Sequence, residues 1–231
     1  MNNNGIGVIN ILSLEEGEYN MLDQKTIREF INDLGSNSPA PGGGSVAALG
    51  ASIASALGAM VFNLTVGKKA YNEYSDEDKM LVDKNLEQCL ECKDKFLELM
   101  NKDREVFLIL MSAFKLPKES IDEKKVRSIK IQEGYQGALE VPMRVAEESY
   151  KIYEYVIAAA KLGNKNAISD AGVSALMLQA SIESAILNVK INLSSIKDET
   201  YKEEIKMRCE ELITLGRLKR DEILSVANDS I

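Results

Sequence analysis

Residues 38–60 read SPAPGGGSVAALGASIASALGAM. Two prolines and three consecutive glycines lead into a helix-like stretch built mainly of alanine, glycine and serine. Every residue between Asp33 and Lys68 is uncharged, and eleven of the twenty residues from Ser45 to Leu64 are Ala, Gly or Ser. A helix with such small side chains suits a membrane, a phosphate, a bound ligand or a very close helix neighbour.

The length of this stretch matches a membrane span. However, its hydrophobicity is weak, its Ser and Asn content is high, and we expect no second comparable span in the chain. Much of the remaining sequence is charged and amphipathic. We therefore predict no membrane association and place this helix at the centre of a soluble bundle, where neighbouring backbones approach it closely.

The glycines before the helix allow two interpretations. GGGS lacks the Gly-Lys-Ser/Thr spacing of a phosphate-binding Walker A loop, and it does not give GxGxxG. A glycine-rich backbone that opens a helix does present free N–H groups to an anion or a carbonyl-rich ring. A simple hinge and a ligand-binding loop both remain open on these residues alone.

Composition excludes several classes of function. The chain has 231 residues, enough for one large domain or two small ones, and its net charge of −8 removes the general electrostatic case for nucleic acid. It contains no histidine, so a histidine base, a histidine metal ligand and a Ser-His-Asp triad are all excluded. Acid–base chemistry must therefore come from Asp, Glu, Lys, Tyr or Cys.

The three cysteines are Cys89, Cys92 and Cys209. An odd number in a chain of this length argues against a disulfide framework and favours a cytoplasmic location. Cys89 and Cys92 form one CxxC pair within a helical pattern, and a zinc ion would need more ligands than Cys209 alone. We expect thiols here and no metal site.

Helical periodicity dominates the chain, and no run has the alternation of a strand. It predicts an all-α bundle of about seven to nine helices as a single domain over residues 22–231, with a flexible arm at residues 1–21. Pro142 predicts a break or kink, and the 39-residue segment predicts a bend. The predicted helices span residues 23–34, 45–64, 76–114, 121–162, 169–196 and 198–226.

The helix that begins near Ser169 carries a polar stripe. Its members recur at steps of three, four and seven, which places them on one face of a helix otherwise rich in Ala, Leu, Ile and Val. Short amides and hydroxyls inside a bundle must be hydrogen-bonded, either to neighbouring helices or to a polar ligand. The sequence leaves both open. The stripe consists of Asp170, Ser174, Ser181, Ser184, Asn188 and Asn192.

Asp103 raises a similar question, since it precedes the strongly apolar run VFLILM. The simple interpretation is a solvent-facing carboxylate with Lys102 and Arg104 as available partners. Asp170 in turn suits the first turn of its helix, where a carboxylate stabilises the helix dipole.

Three motifs in order carry a family resemblance. SPAPGGGSVAALGASIASALGAMVFNLTVGKKAY, DREVFLILMSAFKLPK and NAISDAGVSALMLQASIESAILNVKINL resemble the formiminotransferase-cyclodeaminase C-terminal family, which covers formiminotetrahydrofolate cyclodeaminases and methenyltetrahydrofolate cyclohydrolases. The likeness spans about residues 22–225, and we expect no formiminotransferase domain. It implies an all-helical, cytosolic homodimer that uses no metal or other cofactor and acts on a tetrahydrofolate derivative.

The resemblance also implies roles for particular residues. Asp103 occupies the acidic position taken as catalytic, with Asp170 as a second catalytic candidate that orients the pterin or the water. Arg104 departs from the family pattern and would favour ionised Asp103 if the two side chains met. Lys68, Lys69 and Lys190 are plausible contacts for a folate glutamate tail, which in some folates is a polyglutamate. The folate cleft is implied for Pro41, Gly42, Gly43, Gly44, Ser45, Ser169, Asn188 and Asn192.

Two reactions fit this family, and they share one tetrahedral carbon. A cyclohydrolase adds water to 5,10-methenyltetrahydrofolate and gives 10-formyltetrahydrofolate. A cyclodeaminase closes 5-formiminotetrahydrofolate to the methenyl compound and releases ammonia. We expect the cyclohydrolase, with the cyclodeaminase as the alternative; a non-enzymatic helical scaffold or folate-binding protein is a third interpretation.

Overall fold

The computed structural model describes residues 21–231, and the arm predicted at residues 1–21 therefore lies almost wholly outside the described residues. Within them the protein is built of helices without a strand, as predicted. Two short 3-10 segments, Leu22–Gln24 and Lys165–Ala167, accompany the α-helices. The seven α-helices are α1 (Ile27–Leu34), α2 (Gly43–Asn63), α3 (Lys69–Asn72), α4 (Asp76–Phe114), α5 (Ile121–Leu162), α6 (Ile168–Leu193) and α7 (Glu199–Asn228).

The small-residue helix α2 lies at the centre of the bundle and packs against α4, α5 and α6. Hydroxyls cross both of its main interfaces. Ser52 Oγ donates to the Lys93 carbonyl of α4 at 2.8 Å, and Ser174 Oγ of α6 donates to the Ala54 carbonyl at 2.7 Å. Small side chains allow these short approaches, because a larger residue would hold the backbones apart. The predicted central position is correct.

α2 begins two residues earlier than predicted. Gly43 and Gly44 were expected in the loop, but both are helical, with Gly42 as the N-cap residue in an extended conformation. Glycine has a low intrinsic helix propensity, and the close packing of this end against α4 and α6 overrides that preference. The glycines thus form the first turn of the helix.

Of the break or kink predicted at Pro142, the break does not occur, because α5 runs without interruption from Ile121 to Leu162. The kink stays a prediction. A proline inside a helix has no N–H to donate to the carbonyl four residues earlier, here that of Ala138. Asn192 Nδ2 of α6 donates to this carbonyl at 2.9 Å. The orphaned acceptor is therefore satisfied from a neighbouring helix, and α5 continues.

The N-terminal helix was predicted as one segment over residues 23–34 but forms two. A capping box at Thr26 starts α1 at Ile27, because the Thr26 hydroxyl accepts from the Glu29 N–H and the Glu29 side chain accepts from the Thr26 N–H. The preceding 3-10 turn is tied to α4, where Asn101 Oδ1 accepts from the Leu22 N–H at 2.7 Å.

The remaining boundaries shift by a few residues. The connector after α2 contains the one-turn helix α3 after Gly67, which has a positive φ of 73°. The loop predicted at residues 163–169 contains the second 3-10 segment, and α6 ends at Leu193, three residues before the predicted end. The final helix ends at Asn228, two residues beyond prediction.

Two helical segments are long and apolar enough to cross a membrane by length and composition, Gly43–Asn63 and Lys165–Leu193. The expectation of no second comparable span is therefore wrong. Most of each apolar window is buried inside the bundle, 67% and 56% respectively, as the core helices of a soluble protein also are.

Candidate functional site

Asp103 lies on α4 beside the first turn of α2. Its Oδ2 accepts a hydrogen bond from Ser45 Oγ at 2.8 Å, and the carboxyl also accepts from the Ser45 backbone N–H. The first N–H groups of a helix have no partner within it and carry the positive end of the helix dipole. The carboxyl of one helix therefore serves as the anionic partner for the open end of another.

Gly44 makes this arrangement possible. A Cβ at residue 44 would lie 2.1 Å from Asp103 Oδ1 and 2.6 Å from its Cγ, far inside any allowed contact. Only a residue without a side chain lets the carboxyl approach the helix end so closely. The sequence predicted that Gly44, Ser45 and Asp103 would share a site, and the structure places them together.

Burial raises the pKa of the Asp103 carboxyl above the ordinary aspartate value, and this effect outweighs the two hydrogen bonds from Ser45, which lower it. Arg104 was expected to favour the ionised form only if the two side chains met, and the influences on the Asp103 pKa come from burial and Ser45. A carboxylate selected only to cap a helix would have a lowered pKa. A raised pKa instead suits a carboxyl that takes and releases a proton during a reaction.

Asn188 of α6 completes this end of α2 from the other side. A Cβ at Gly43 would lie 3.1 Å from Asn188 Nδ2, so the amide lies directly over the glycine backbone. Asn188 Nδ2 donates to the Ser184 carbonyl of its own helix at 2.9 Å, which fixes the side-chain orientation. Asp103, the glycine turn and Asn188 thus converge from three helices.

Asn192 was also predicted to bind substrate, and it lies one turn beyond Asn188. Both of its amide protons are used within the protein, since Nδ2 donates to the Ala138 carbonyl at 2.9 Å and to the Asn188 carbonyl at 2.8 Å. Its visible role is to join α6 to α5, at the carbonyl that Pro142 leaves free. A contact with substrate remains a prediction.

The central part of the polar stripe is structural. Ser174 donates to Ala54, and a Cβ at Gly50 would lie 2.6 Å from Ser181 Oγ. The helix α6 that carries the stripe therefore runs antiparallel to α2. Ser174 lies beside the middle of α2, and Asn188 lies beside the N-terminal end of α2. Of the two interpretations left open by the sequence, helix–helix packing explains Ser174 and Ser181.

Within one chain four of the predicted residues lie far from Asp103. Ser169 and Asp170 occupy the first turn of α6, about 27 Å along the helix axis from Asn188. Lys68 and Lys69 are exposed and follow the C-terminal end of α2, which is about 29 Å from Gly44. The structure therefore divides the predicted site into two groups, one at each end of α2.

Lys190 lies two residues from Asn188 but on another face of α6. It lowers the pKa of the Cys209 thiol, which places its charge near α7 and away from the Asn188 face, although burial raises the pKa of that thiol more. Pro41 is buried just before the glycine turn, and Gly42 is half-buried at the N-cap. These two residues shape the approach of the chain to α2.

Asn101, two residues before Asp103, was not predicted from the sequence. Its side-chain Oδ1 accepts from the Leu22 N–H, and its Nδ2 donates to Asp23 Oδ1 at 2.8 Å. The side chain fastens residues 22–24 to α4 next to the site. The signal was present as a polar residue directly before the Lys102–Asp103 pair, but its partner lies 79 residues away.

Among residues 21–231, no group of three or more His, Cys, Asp or Glu side chains could hold a metal ion. The three cysteines are free thiols, and burial raises the pKa of Cys89 to about 12. Such a thiol is protonated at neutral pH and is a poor metal ligand or nucleophile. The free thiols agree with the expectation drawn from the CxxC spacing, and the expectation of no metal site stays a prediction.

Two surface cavities lie away from Asp103. One of about 350 Å³ lies between α5 and Tyr201, with Arg144 and Glu147 in its wall. The other, of about 600 Å³, lies between α4 and α5 and is lined by Lys84, Gln88 and Tyr155 among others. Neither includes a residue of the Asp103 cluster, and Gly43 of that cluster is exposed.

Known proteins share this sequence and fold. Residues 26–211 match the family model described as formiminotransferase-cyclodeaminase. A methenyltetrahydrofolate cyclohydrolase from Methylorubrum extorquens is 37% identical over 80% of this chain and 86% of its own length. The formimidoyltransferase-cyclodeaminase of Rattus norvegicus is 30% identical over 89% of this chain, which spans only 37% of that longer protein.

A solved structure supports the same relationship. The crystal structure of formiminotetrahydrofolate cyclodeaminase from Thermotoga maritima matches with a TM-score of 0.78 at 27% identity, and the match covers 90% of this chain and 98% of that one. With the family model covering most of the chain, the resemblance seen in its three motifs is confirmed. The chain belongs to the formiminotransferase-cyclodeaminase family.

Proposed function

We propose that this protein hydrolyses 5,10-methenyltetrahydrofolate to 10-formyltetrahydrofolate, with Asp103 as the group that moves the proton. The observation that carries the proposal is the partly buried Asp103 carboxyl, held against the first turn of α2 by Ser45, with its pKa raised. The similarity to a cyclohydrolase over 86% of that relative's length supports this reaction.

The substrate is a cation whose charge is shared by N5, N10 and the methenyl carbon between them. An ionised carboxylate in a site of low dielectric would stabilise such a cation strongly. Water attacks the methenyl carbon, and Asp103 takes one of its protons. The bond from that carbon to N5 then breaks, and N5 receives this proton from Asp103. The hydroxyl on the same carbon loses the second proton of the water to solvent as its C=O bond forms, and the formyl group remains on N10.

The surroundings of Asp103 support this chemistry in two further ways. The glycine turn leaves no side chain over the backbone of Gly43 and Gly44, so a flat ring could lie close to it. The Asn188 amide, anchored on its own helix at 2.9 Å, offers a fixed polar group beside that surface. We assign Asn188 to orienting the pterin or the attacking water.

Closure of 5-formiminotetrahydrofolate with release of ammonia is the second candidate, and the 0.78 TM-score to a cyclodeaminase of almost the same length favours it. N10 attacks the formimino carbon, its proton passes through Asp103 to the leaving nitrogen, and ammonia departs. The same carboxylate serves both reactions, since each passes through one tetrahedral carbon and a cationic amidinium.

The deciding experiment follows the near-ultraviolet absorbance of 5,10-methenyltetrahydrofolate. The purified protein is mixed with that compound, and decay is compared with a buffer blank; 5-formiminotetrahydrofolate is then offered separately. Fast decay supports the cyclohydrolase, whereas a rise from the formimino compound with little decay supports the cyclodeaminase. A folded protein that does neither contradicts both, and a saturable folate titration would then favour a binding role.

The remaining expectations are part of the same proposal. The reaction needs no cofactor besides its folate substrate, and the protein works in the cytoplasm without nucleic acid or membrane partners. Lys68, Lys69 and Lys190 are candidates for binding glutamate carboxylates of a polyglutamylated folate. The protein acts as a homodimer.

A further inference from the structure

The cavity of about 600 Å³ between α4 and α5 contains a buried amide that the fold itself does not use. We call it the α4–α5 cavity. Asn85 is 5% exposed and forms part of its wall. Within residues 21–231, no side chain or backbone group forms a hydrogen bond with the Asn85 amide. Burying an amide without a partner is unfavourable, and such groups in native proteins call for an explanation.

The Asn85 amide faces the cavity and not the protein interior. In the described part of the chain, Arg127 Nε is the one fully buried side-chain nitrogen or oxygen atom that lacks a hydrogen bond. The amide atoms of Asn85 also lack one, so they must reach open space, and the α4–α5 cavity is the space that this residue lines. An unpaired amide in the wall of a cavity is placed to bind a ligand.

The packing of the two helices shows what lies opposite the amide. α4 and α5 are antiparallel neighbours, and Tyr155 Oη of α5 donates to Gln88 Oε1 of α4 at 3.4 Å. Three residues further along each helix, Asn85 is level with Ala158, which also lines the cavity. The short alanine side chain leaves room for a ligand in front of the amide.

One end of the cavity is basic. Lys161 lies three residues beyond Ala158 on α5, and Lys84 precedes Asn85 on α4, so both ammonium groups belong to this end. Lys84 has no ion-pair partner among the residues that the structure describes. Lys161 pairs with Glu222 at 3.2 Å, but both side chains are about half exposed, and such pairs are weak. The two lysines are therefore available to an anionic group.

The other end of the cavity carries an aromatic ring. Tyr155 lies six residues before Lys161 on α5, about 9 Å along the helix axis. Ile157 and Leu81 add apolar wall on α5 and α4. Glu154, the one acidic residue of this lining, lies two turns from Lys161 and therefore away from the basic end. A fitting ligand has an anionic group at one end and a largely apolar, planar body at the other.

The Asn85 amide selects the chemistry of that body. An asparagine amide presents a hydrogen-bond donor and an acceptor side by side. A carboxylate or a phosphate has only acceptors, so it would leave the Asn85 oxygen unpaired. The adenine edge that carries N6 and N7 offers an adjacent donor and acceptor, and asparagine pairs with it through two hydrogen bonds. An adenine ring is also planar, as the space beside Tyr155 requires.

We infer that the α4–α5 cavity binds an adenine mononucleotide, with the base on the Asn85 amide and the phosphate at Lys84 and Lys161. Two lysines suit the charge of one phosphate. The volume of about 600 Å³ lies within the usual range of small-molecule sites, about 300–1,000 Å³. Asn85 precedes Asp103 by 18 residues on α4, about 27 Å along the axis. The cavity is thus a second site that does not depend on the proposed function.

The first experiment is isothermal titration calorimetry of the full-length protein with adenosine 5′-monophosphate (AMP). AMP should bind saturably, with one molecule per chain. Adenosine lacks the phosphate and ribose 5-phosphate lacks the base, so each should bind about tenfold more weakly or worse. Absence of saturable AMP binding overturns the inference. Equal binding by either fragment also overturns it, because one of the two proposed contacts would then contribute nothing.

Asn85→Leu tests the amide by two independent measurements. Leucine has nearly the same volume but cannot form hydrogen bonds, so the affinity for AMP should fall about tenfold or more. Without ligand, the melting temperature should be unchanged or higher, because the substitution removes a buried amide that has no partner. A lower melting temperature would show that the amide stabilises the fold, and it would overturn the assignment to a ligand.

Lys84→Gln tests the phosphate end at an exposed residue, where the fold is not at risk. The affinity for AMP should fall several-fold and should depend less on salt concentration, because one charge contact is lost. Lys130→Gln removes the same charge from a distant part of α5 and is the matched control. It should bind AMP as the wild-type protein does, and so should Asp103→Asn.

Two results with these variants contradict the inference. Equal losses of affinity in Lys84→Gln and Lys130→Gln would show a general effect of net charge and no local contact. Loss of AMP binding in Asp103→Asn would place the nucleotide at the candidate folate site instead of the α4–α5 cavity. Failure of the proposed function looks different, because the protein would then be inactive on both folates while the calorimetry still reports on the cavity.

Discussion

Two glycines of α2 face polar side chains at very short range, for different reasons. In the middle of the helix, Gly50 lies against Ser181 and Ser174 donates to the Ala54 carbonyl, so neutral groups are satisfied by backbone. At the N-terminal end, Gly44 lies against Asp103, a carboxyl whose pKa burial raises. The geometry is shared, and the electrostatics differ.

This difference separates packing from chemistry. A buried neutral hydrogen bond stabilises the fold by about 1 kcal/mol, and changing it should alter stability more than turnover. A partly buried carboxylate whose ionised form is disfavoured opposes folding at neutral pH. The proposed function would explain its presence, and changing it should then alter turnover more than stability.

The largest expected effect comes from Asp103→Asn, which keeps the shape of the side chain but removes its ability to take a proton. We expect turnover to fall about 10²- to 10⁴-fold, the usual contribution of a general acid–base group. Because the raised pKa means that ionised Asp103 opposes folding above that pKa, the melting temperature at neutral pH should be unchanged or higher.

The measurement combines steady-state kinetics with thermal unfolding of the same preparation. A variant that keeps wild-type turnover removes Asp103 from the mechanism. A clear fall in melting temperature would instead show that the carboxyl is a helix cap for α2 and that its role is structural.

Gly44→Ala and Gly50→Ala test the contact with Asp103 and the contact with Ser181 separately. A methyl group at residue 44 must displace the Asp103 carboxyl, and we expect turnover to fall by about 100-fold, as a misplacement of about 1 Å does. A methyl group at residue 50 meets Ser181 and should destabilise the fold by about 1–3 kcal/mol while leaving turnover per folded molecule unchanged.

Gly172→Ala is the control for both changes, because its Cβ would lie 3.5 Å from Ala227, an ordinary contact. It should keep turnover and gain a few tenths of a kcal/mol or more from better helix propensity. Chemical denaturation and kinetics on the three variants measure stability and turnover separately. Equal losses of turnover at residues 44 and 50 would contradict the expectation that only residue 44 affects the chemistry.

Ser45→Ala sharpens the assignment through pH. The Ser45 hydroxyl lowers the Asp103 pKa, so its removal raises that pKa further. Since the ionised carboxylate is the active form, kcat/KM falls as the pH falls through this pKa. The acid limb of the wild-type profile should lie above the ordinary aspartate range, and in Ser45→Ala it should move to higher pH, with the loss of kcat/KM growing as the pH falls.

Ser174→Ala is the comparison variant for this profile, because the hydrogen bond it removes is neutral and joins α6 to the middle of α2. Its acid limb should coincide with that of the wild-type protein. An acid limb that fails to move in Ser45→Ala would mean that another group controls the profile.

The smallest effect concerns Asn192, which satisfies the Ala138 carbonyl that Pro142 leaves free. Asn192→Ala should destabilise the protein by about 1–3 kcal/mol, the penalty for an unsatisfied buried acceptor. In a Pro142→Ala background the restored N–H can take that carbonyl, and the same substitution should then be less destabilising. Equal penalties in both backgrounds, measured by denaturation, would contradict the pairing.

The helical fold could be predicted because its causes are local. Apolar periodicity, the Ser75 and Ser120 caps and the small-residue run each act within a few positions of the chain. The bounds of α4 and α5 were predicted to the residue. Of the break or kink predicted at Pro142, the break does not occur, because Asn192 on α6 donates to the Ala138 carbonyl from 54 residues away. No local pattern identifies this donor.

The candidate site could be predicted only in part for the same reason. The residues grouped around Asp103 did come together, with the glycine turn on one side and Asn188 on the other. Asp170 and Lys68 did not join them within one chain, because motifs that are all characteristic of a family need not lie at one end of a helix. Asn101 was missed because its hydrogen-bond partners, Leu22 and Asp23, lie far from it in the sequence.

The raised pKa of Asp103 has a consequence for how the proposed reaction cycle turns over. Before substrate arrives, the site holds a negative charge that its surroundings disfavour, and a cationic methenyl compound relieves that disadvantage on binding. The 10-formyl product has lost the positive charge, so the relief disappears as the bond breaks. The site would therefore discriminate between two molecules of nearly identical shape by charge alone, and its own chemistry would promote release of the product.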